Sequence, residues 1–174
     1  AGSDKVLANM NRRYDSAHYL QIIDKLRKRM PDIGITTDIM VGFPTETEED
    51  FQDTLEIVKK VRYSNAFTFI YSPRKGTSAA KMEQIPYAIK QERIARLIKL
   101  QNSITKEISK TYIGGVYRVL CEDVVPKLDG MVCGREDGGR LVTFEGSKDD
   151  IGKFFDVRIT VSKSASLFGH KEGK

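Results

Sequence analysis

The sequence predicts an α/β protein in two parts: a region of alternating strands and helices, followed by a small all-β barrel. Residues 1–111 alternate β-branched runs with amphipathic stretches, which is the pattern of parallel βαβ units. After Gly114 and Gly115 the chain consists of short β-rich runs separated by Gly, Asp, Lys and Pro, which is typical of a small barrel. At 174 residues the chain is long enough for two cores. We therefore predict two domains, residues 1–111 and 112–174.

Two strands are predicted in the first region. The first spans residues 33–41 and stops at Gly42, the second spans residues 66–71, and Pro86 opens a long helix after them. Both strands have the composition of buried strands, so we expect helices to cover their faces. Because two strands are too few for a stable sheet, we expect this region to be the carboxyl-terminal part of a larger α/β protein.

The helices of this region are predicted from caps and apolar periodicity. A first helix begins after Asp15 and ends at Pro31. The helix between the strands has two candidate capping boxes, formed by Thr45 with Glu48 or by Thr47 with Asp50. The predicted apolar stripes of this helix and of the long helix after it are Phe51, Leu55, Val58 and Val61, and Ile94, Leu97, Ile98, Ile104 and Ile108.

The second region is predicted to be an antiparallel barrel of about sixty residues. Its predicted strands are residues 116–122, 130–135, 140–145 and 154–161, with residues 166–168 as a candidate fifth. Its two cysteines, Cys121 and Cys133, are too few for a disulfide framework and lack the close spacing of a metal site. We expect them to be buried free thiols.

Composition narrows the class of protein. The chain is 40% hydrophobic with a net charge of +5, and it has neither an apolar run of about 20 residues nor a signal-like start. We therefore predict a cytoplasmic protein without a membrane partner. The basic excess lies in residues 1–110, with 19 Lys and Arg against 14 Asp and Glu, while residues 111–174 have 10 of each. That excess is compatible with a polyanionic partner and is also common on solvated helices.

Familiar catalytic motifs are missing from the sequence. The only histidines are His18 and His170, no Ser-His-Asp or Cys-His arrangement can be argued, and no phosphate-binding GxxxxGK[ST] motif occurs. The residues do not support a self-sufficient hydrolase or kinase.

Polar residues near the carboxyl ends of the two predicted strands are the candidate site, because ligands of parallel α/β folds bind there. Asp38 lies in an apolar strand, where a carboxylate needs a partner, and either a ligand or a neighbouring strand would serve. Glu46 is either a ligand or a favourable charge at a helix amino terminus. Tyr71, Ser72 and Arg74 end the second strand, although Arg74 would also be ordinary on a surface.

Three segments carry a family resemblance: "GSDKVLANMNRRY" (2–14), "TDIMVGFPTETEEDF" (37–51) and "AFTFIYSPRKGTSAA" (66–80). With "LVTFEG" (141–146), they resemble the radical S-adenosylmethionine (SAM) methylthiotransferases, in particular the branch that modifies tRNA. The resemblance covers essentially the whole chain. It implies an amino-terminal domain with a [4Fe–4S] cluster, a central radical SAM domain shaped as a partial (βα)₆ barrel, and a carboxyl-terminal TRAM domain that is similar to oligonucleotide-binding (OB) barrels.

The resemblance also implies what this chain lacks. The radical cluster of the family is held by a CxxxCxxC loop after the first barrel strand, and this sequence has no such loop. The chain is therefore expected to correspond to the last strand–helix units of the partial barrel plus the TRAM domain. As such a fragment it would carry neither of the two [4Fe–4S] clusters of the intact enzyme, would have no catalytic residue of its own, and would be inactive alone. The missing amino-terminal part of the same enzyme is then a required partner.

Cofactor positions are carried over from the family onto two segments of this chain. The SAM-binding residues that the resemblance implies are Thr37, Asp38, Gly42, Glu46, Tyr71, Ser72 and Arg74. The family's turn usually reads Gly-Phe-Pro-Gly-Glu-Thr, so Thr45 is a departure from it. Glycine tolerates positive φ and threonine does not, so the backbone at Thr45 is expected either to be ordinary or to mark a remodelled turn.

For the intact enzyme, the resemblance implies transfer of a methylthio group to carbon 2 of an N6-isopentenyladenosine beside the anticodon of a tRNA. One SAM molecule is cleaved reductively and another supplies the methyl group. Two alternatives remain open at this point: the sister enzymes that modify an aspartate of a ribosomal protein, and a non-enzymatic RNA-binding module.

The TRAM resemblance implies a contact with tRNA, and not with DNA. The expected phosphate-binding residues, all in or beside turns of the barrel, are Lys127, Arg135, Arg140 and Lys148. Phe144 either stacks on a base or fills the barrel, and a barrel of this size favours the second role. Because the charges of residues 111–174 balance, RNA binding would require the cations to cluster on one face.

Overall fold

The computed structural model describes residues 1–164 and 166–173. They form two compact units, residues 1–104 and 105–174. The elements up to residue 111 are helices α1 (Asp4–Asn9), α2 (Ser16–Arg29), α3 (Glu48–Val61) and α4 (Tyr87–Thr111), strands β1 (Thr36–Val41) and β2 (Asn65–Ile70), and a short 3₁₀ helix (Ser78–Lys81). The division between the units falls within α4, seven residues before the boundary predicted from the sequence, and the domain boundary at residue 112 stays a prediction.

Strands β1 and β2 form the predicted parallel pair. Thr36 lies opposite Asn65, and the register continues to Val41 opposite Ile70. β1 begins three residues later than the sequence suggested. The six-residue α1 was not predicted; its N-cap is Ser3, whose hydroxyl accepts a hydrogen bond from the backbone of Val6.

The two faces of this strand pair differ. The prediction that helices would bury the strands on both faces is wrong for one face. Ile39 and Val41 point to one face and are buried, as is the predicted apolar stripe of α3. On the other face Asp38 lies opposite Phe67 in the register, and Phe67 and Phe69 are 59% and 50% exposed. The alternation of a strand places these residues together, so the described chain has an open, partly aromatic sheet face.

Helix α4 buries a stripe that is more polar than predicted. Leu97 and Ile104 are buried as expected, whereas Ile98 is 40% exposed. The buried positions at helical spacing before and between them are Lys90, Arg93 and Gln101. The buried face of the helix contains these polar residues, and Ile98 lies outside it. Apolar periodicity cannot predict a buried face that is partly polar.

The second unit is the predicted barrel, and the candidate fifth strand is part of it. Its strands are β3 (Val116–Val124), β4 (Met131–Glu136), β5 (Leu141–Glu145), β6 (Phe154–Lys163) and β7 (Ser166–Lys171), with a short 3₁₀ helix (Lys148–Asp150). The barrel closes in the order β3-β4-β5-β7-β6. All its pairs are antiparallel except β5 with β7, which is parallel. The antiparallel prediction is corrected there: β7 turns back along β6 and so runs in the direction of β5.

The barrel interior is apolar and tightly packed. Its buried cluster consists of Val119, Cys121, Val132, Val142, Phe144, Val157, Ile159 and Leu167. Phe144 is fully buried, which confirms its expected place in the core. Cys121 is buried and Cys133 is half-buried, both as free thiols, and burial raises the pKa of each. At Gly134 of β4, a Cβ would lie 1.9 Å from the carbonyl oxygen of Leu120 on β3, so only glycine fits.

Candidate functional site

The segments that follow β1 and β2 contact one another. The backbone N–H of Tyr71 donates to the carbonyl of Val41 at 2.9 Å, so strand pairing continues one residue past β2. The rings of Phe43 and Tyr71 meet edge to face with their centroids 5.2 Å apart. From α4, Lys90 donates to the Tyr71 carbonyl at 3.4 Å and lies 5.3 Å from the centre of its ring. Gly42 has φ 74°, and a Cβ there would be 2.6 Å from Cγ of Lys90, so this close approach requires glycine.

Tyr71 carries an unpaired polar atom. The side chain is 9% exposed, and its buried hydroxyl has no hydrogen-bond partner among the described residues. Buried hydroxyl groups are nearly always paired, so this hydroxyl is free to bond to a ligand or a water. Ser72 and Arg74 follow it and are exposed. Three of the predicted cofactor residues therefore lie together after β2, with one donor available to a ligand.

Glu46 is buried in a salt bridge that closes the turn after β1. Its carboxylate accepts hydrogen bonds from the backbone N–H of Gly42 at 3.0 Å and from Arg93 of α4 at 2.8 Å, and Arg93 also donates to the Glu46 carbonyl at 3.0 Å. Burial raises the pKa of Glu46, and the Gly42 N–H and the Arg93 guanidinium offset part of that increase. Glu46 thus fixes the turn, and its carboxylate already has partners within the chain.

The turn places Thr45 in a left-handed backbone conformation. Its φ is 78°, a region that favours glycine. Two side chains of α1 hold the residue there: Asn9 donates to the Thr45 hydroxyl at 2.8 Å and Lys5 donates to its carbonyl at 3.2 Å. Helix α3 then begins with the capping box of Thr47 and Asp50, the second of the two candidates. The chain therefore keeps the geometry of a glycine turn with threonine in place.

Asp50 ties α1 to the start of α3. It accepts hydrogen bonds from Ser3 at 2.7 Å and from Lys5 at 2.8 Å, besides those of the capping box. Burial alone would raise the pKa of Asp50, but the hydrogen bonds from Lys5, Thr47 and Ser3 outweigh it and hold the pKa well below its usual range. Asp50 thus has a structural role, because it links α1 to the start of α3 and so stabilises the turn.

Replacing Thr45 with glycine is expected to raise the free energy of unfolding of the first unit by up to about 1 kcal/mol. The left-handed backbone destabilises a residue with a Cβ by about 1–2 kcal/mol, and glycine relieves this strain. The greater freedom of glycine in the unfolded chain and the loss of the Asn9 hydrogen bond offset part of the stabilisation. The matched control is Thr47→Gly, where φ is −83° and the N-cap bond is lost, so stability should fall. Urea denaturation compares the two variants, and a loss of stability in Thr45→Gly would contradict the strain.

Thr37 and Asp38 lie away from the carboxyl ends of the strands. They are three to four residues before the end of β1 at Val41, which corresponds to about 10–13 Å along a strand. Asp38 is exposed on the open sheet face, so it does not occupy a buried polar interior in the described chain. The structure thus divides the predicted cofactor residues into one group after the strands and one group further down β1.

Three of the four predicted RNA-binding cations of the barrel are exposed, and the fourth is buried. Lys127 follows β3 and Lys148 follows β5, and both are exposed. These two connections are joined by a hydrogen bond from the N–H of Gly146 to the carbonyl of Gly130 at 2.9 Å. Arg135 is exposed on β4, where it pairs with Glu122 at 3.3 Å.

Arg140 is 6% exposed, unlike the other three cations. Its guanidinium donates to the hydroxyl of Ser109 at 2.8 Å and lies 5.1 Å from the ring centre of Tyr112. Its own backbone N–H donates to the carboxylate of Glu136 at 2.9 Å. This environment favours a structural role for Arg140.

Two groups of residues escaped the sequence predictions. Arg93 was not among the predicted residues, although its spacing of four residues from Leu97 was a usable signal. Phe154 and Arg118 form an exposed pair on the barrel, with the guanidinium carbon 4.1 Å from the ring centre. The signal for that pair was the Phe154-Phe155 dipeptide at the start of a strand, because alternation must turn one of the two rings outward.

Comparison with known families defines the class. Residues 1–58 match the Radical SAM superfamily, and residues 110–171 match the TRAM domain. Both matches agree with the fold, since the first contains β1 and the second covers the closed barrel. The chain thus combines a segment similar to the Radical SAM superfamily with a region that matches the TRAM domain.

Three similar relatives share one name. The chain is 50% identical over 97% of its length to a tRNA-2-methylthio-N(6)-dimethylallyladenosine synthase of Acetivibrio thermocellus, covering 35% of that protein. It is 48% identical to the synthase of Alkaliphilus oremlandii over 97% of the chain and 36% of the relative, and 45% identical to that of Clostridium botulinum over 98% and 38%. The chain thus spans about a third of the length of the curated relatives that it matches. None of the described helices is both long and apolar enough to cross a membrane.

Proposed function

We propose that this chain is part of a radical SAM tRNA methylthiotransferase, in which it forms one wall of the SAM site and holds the tRNA. The intact enzyme adds a methylthio group to carbon 2 of an N6-isopentenyladenosine beside the anticodon. The observation that carries the proposal is 50% identity, over nearly the whole chain, to an enzyme named for this product. The names of the relatives favour tRNA over a ribosomal protein as the substrate.

Residues after β1 and β2 fit a polar small molecule such as SAM. The unpaired Tyr71 hydroxyl is a donor for a bound group, and the exposed Ser72 and Arg74 lie next to it along the chain. The buried Glu46 and Gly42 set the shape of the neighbouring turn. SAM supplies the radical and the methyl group when it is bound, and the proposed role of these residues is to bind and orient it. Thr37 and Asp38 belong to the proposal as residues of β1, with Asp38 on the open sheet face and the half-buried Thr37 on the face of Ile39.

The residues of this chain do not fit a [4Fe–4S] cluster. Such clusters are held by cysteine thiolates, commonly four, and the chain has two, of which Cys121 is buried in the barrel core. Among the described residues, no group of three or more His, Cys, Asp or Glu side chains is placed to hold a metal. We therefore assign no step of the reaction to a cluster on these residues. The proposal requires a further segment of the enzyme to supply both clusters, and we expect the chain to be inactive alone.

The proposal predicts that the chain binds a tRNA anticodon stem–loop with an affinity that falls as salt rises. Each phosphate contact contributes about 0.7–0.9 to the slope of log K against log salt. Replacing Lys127, Arg135 and Lys148 together with alanine should therefore reduce that slope by about 2, as measured by fluorescence anisotropy between 50 and 200 mM salt (about the range over which counterion release is resolved).

The matched control replaces three exposed lysines of α2 and α3 with alanine, namely Lys25, Lys28 and Lys60. This variant has the same change in net charge, so it should leave the salt slope closer to that of the unmodified chain. Equal slopes in the two triple variants would remove the barrel cations from the proposal. A chain that binds no tRNA at 50 mM salt (about the low end of the range used to resolve such contacts) would overturn the proposed function itself.

A further inference from the structure

An exposed aromatic side chain stands on the outer surface of the barrel. Phe154 begins β6 and is 52% exposed. Its neighbour Phe155 faces the other way, where its ring lies 5.8 Å from that of the buried Phe144. Phe155 therefore contributes to the core, and Phe154 is not needed to fill it.

A guanidinium covers the exposed ring. The central carbon of Arg118, on β3, lies 4.1 Å from the centre of the Phe154 ring, which is within the range of a cation–π contact. In the strand register Arg118 lies opposite Asp156. Even so, no ion pair joins Arg118 to a carboxylate within residues 1–164 and 166–173. The contact with Phe154 therefore leaves the charge of Arg118 available to a ligand.

Further cations surround the pair. Leu120 on β3 lies opposite both Phe154 and Arg135 in the register, so Arg135 is two strands from the ring, or about 10 Å. Lys153 directly precedes Phe154 and is exposed. The charge of Arg135 is partly balanced by Glu122, so this surface attracts anions only moderately. Its distinctive feature is the Arg118–Phe154 contact.

We propose that the Arg118–Phe154 pair is a stacking site for one unpaired base of the bound RNA. Aromatic rings and guanidinium planes are the two surfaces on which proteins stack unpaired bases, and here the chain presents both in contact. Arg135 and Lys153 lie where they would contact phosphates of the same RNA strand. The inference rests on the proposed function for its ligand, RNA, and adds the place and the mode of binding.

Tryptophan is absent from the chain, so Phe154→Trp creates a single fluorescent reporter at the site. A single-stranded RNA oligonucleotide, or an anticodon stem–loop with an unpaired loop, should quench its emission. A fully paired RNA of the same length should not, because its bases are already stacked. The control is Val161→Trp on the same strand, seven residues away and exposed, which is about 23 Å along a strand and should stay unquenched.

Binding measurements complete the test. Phe154→Ala should weaken binding of the stem–loop about tenfold, with little change in its salt slope, because the stacking surface for one base is lost and no charge is removed. Val161→Ala should leave the affinity unchanged. Arg118→Lys keeps the charge but loses the plane, so it should also weaken binding.

The outcomes separate this inference from the proposed function. If the unmodified chain binds the stem–loop, and Phe154→Ala and Phe154→Trp show neither weakening nor quenching, the stacking site is wrong and the proposed function stands. If single-stranded RNA quenches Phe154→Trp but tRNA stem–loops do not bind, the stacking site stands and the proposed function is wrong. Binding to neither RNA overturns both.

Discussion

Replacing Arg93 with methionine should lower the free energy of unfolding of the first unit by about 3 kcal/mol at neutral pH. Arg93 and Glu46 are both 5% exposed and their charged groups are 2.8 Å apart. Removing one partner of a buried ion pair leaves the other charge without compensation, which typically costs about 3–5 kcal/mol. Hydrogen exchange of peptides from residues 36–61, followed by mass spectrometry, measures the loss where the pair acts.

The loss should depend on pH in a defined direction. Burial already raises the pKa of Glu46 above its usual value, and without Arg93 it should rise further. A carboxyl group with a raised pKa in the folded state keeps its proton after the unfolded state has lost it. The stability that this protonated carboxyl group adds to the folded state is therefore fully present below about pH 4.3, the usual pKa of glutamate. It is lost as the pH rises through the folded-state pKa. Arg93→Met should thus be less destabilised at acidic pH than at neutral pH.

Two controls test this explanation. The double variant Glu46→Gln/Arg93→Met has no buried charge left at the pair, so it should lose the added pH dependence. Arg96→Met makes the same change in the same helix, at a half-exposed arginine that pairs with Glu48 and Glu92, and exposed pairs contribute about 0–1 kcal/mol. Equal losses for Arg93→Met and Arg96→Met would show that the buried pair has no special role.

Truncating Phe144 to alanine should lower the stability of the barrel by about 3–5 kcal/mol. Phe144 is fully buried among the side chains of the barrel core, and removing a buried phenyl ring leaves a cavity of this cost. Phe144→Leu keeps most of the volume and should lose less than about 1.5 kcal/mol. Urea denaturation of the unmodified chain and both variants, followed by hydrogen exchange of barrel peptides, measures the series.

RNA binding separates this core residue from the exposed Phe154. Phe144→Leu should bind the anticodon stem–loop as the unmodified chain does, because a fully buried ring offers no surface to a base. Phe154→Ala should show the opposite result, weaker binding with a change in stability within about 0.5 kcal/mol, as expected of a surface position. Weaker binding by a stably folded Phe144→Leu would return Phe144 to the RNA interface.

Much of the fold was predictable because its signals are local. The parallel strands, the helix between them and the barrel strands all follow from apolar periodicity and from glycine and proline breaks. Phe144 was placed correctly because a small barrel must fill its interior. The parallel pairing of β5 with β7 was not predictable, since it depends on which strands become neighbours after the chain folds back.

The candidate site was predicted less completely, because burial and partners are properties of the folded chain. The sequence marked Glu46 and Tyr71, but it did not show that Arg93 comes from a helix 47 residues away to pair with Glu46. It treated Arg135 and Arg140 alike, and the structure exposes one and buries the other. At Thr45 it left two backbone conformations open, and the support from Asn9 and Lys5 selected the left-handed one.

The position of β7 gives this strand a protective role. Without β7, the remaining pairs form the open sheet β5-β4-β3-β6, whose outer strands each present a row of unpaired N–H and C=O groups. Such rows are templates for pairing with other chains, and closing a barrel removes them. Because β7 pairs with both β5 and β6, the residues Ser166–Lys171 cover both rows at once. This one strand of six residues therefore protects two exposed edges of the barrel from aggregation.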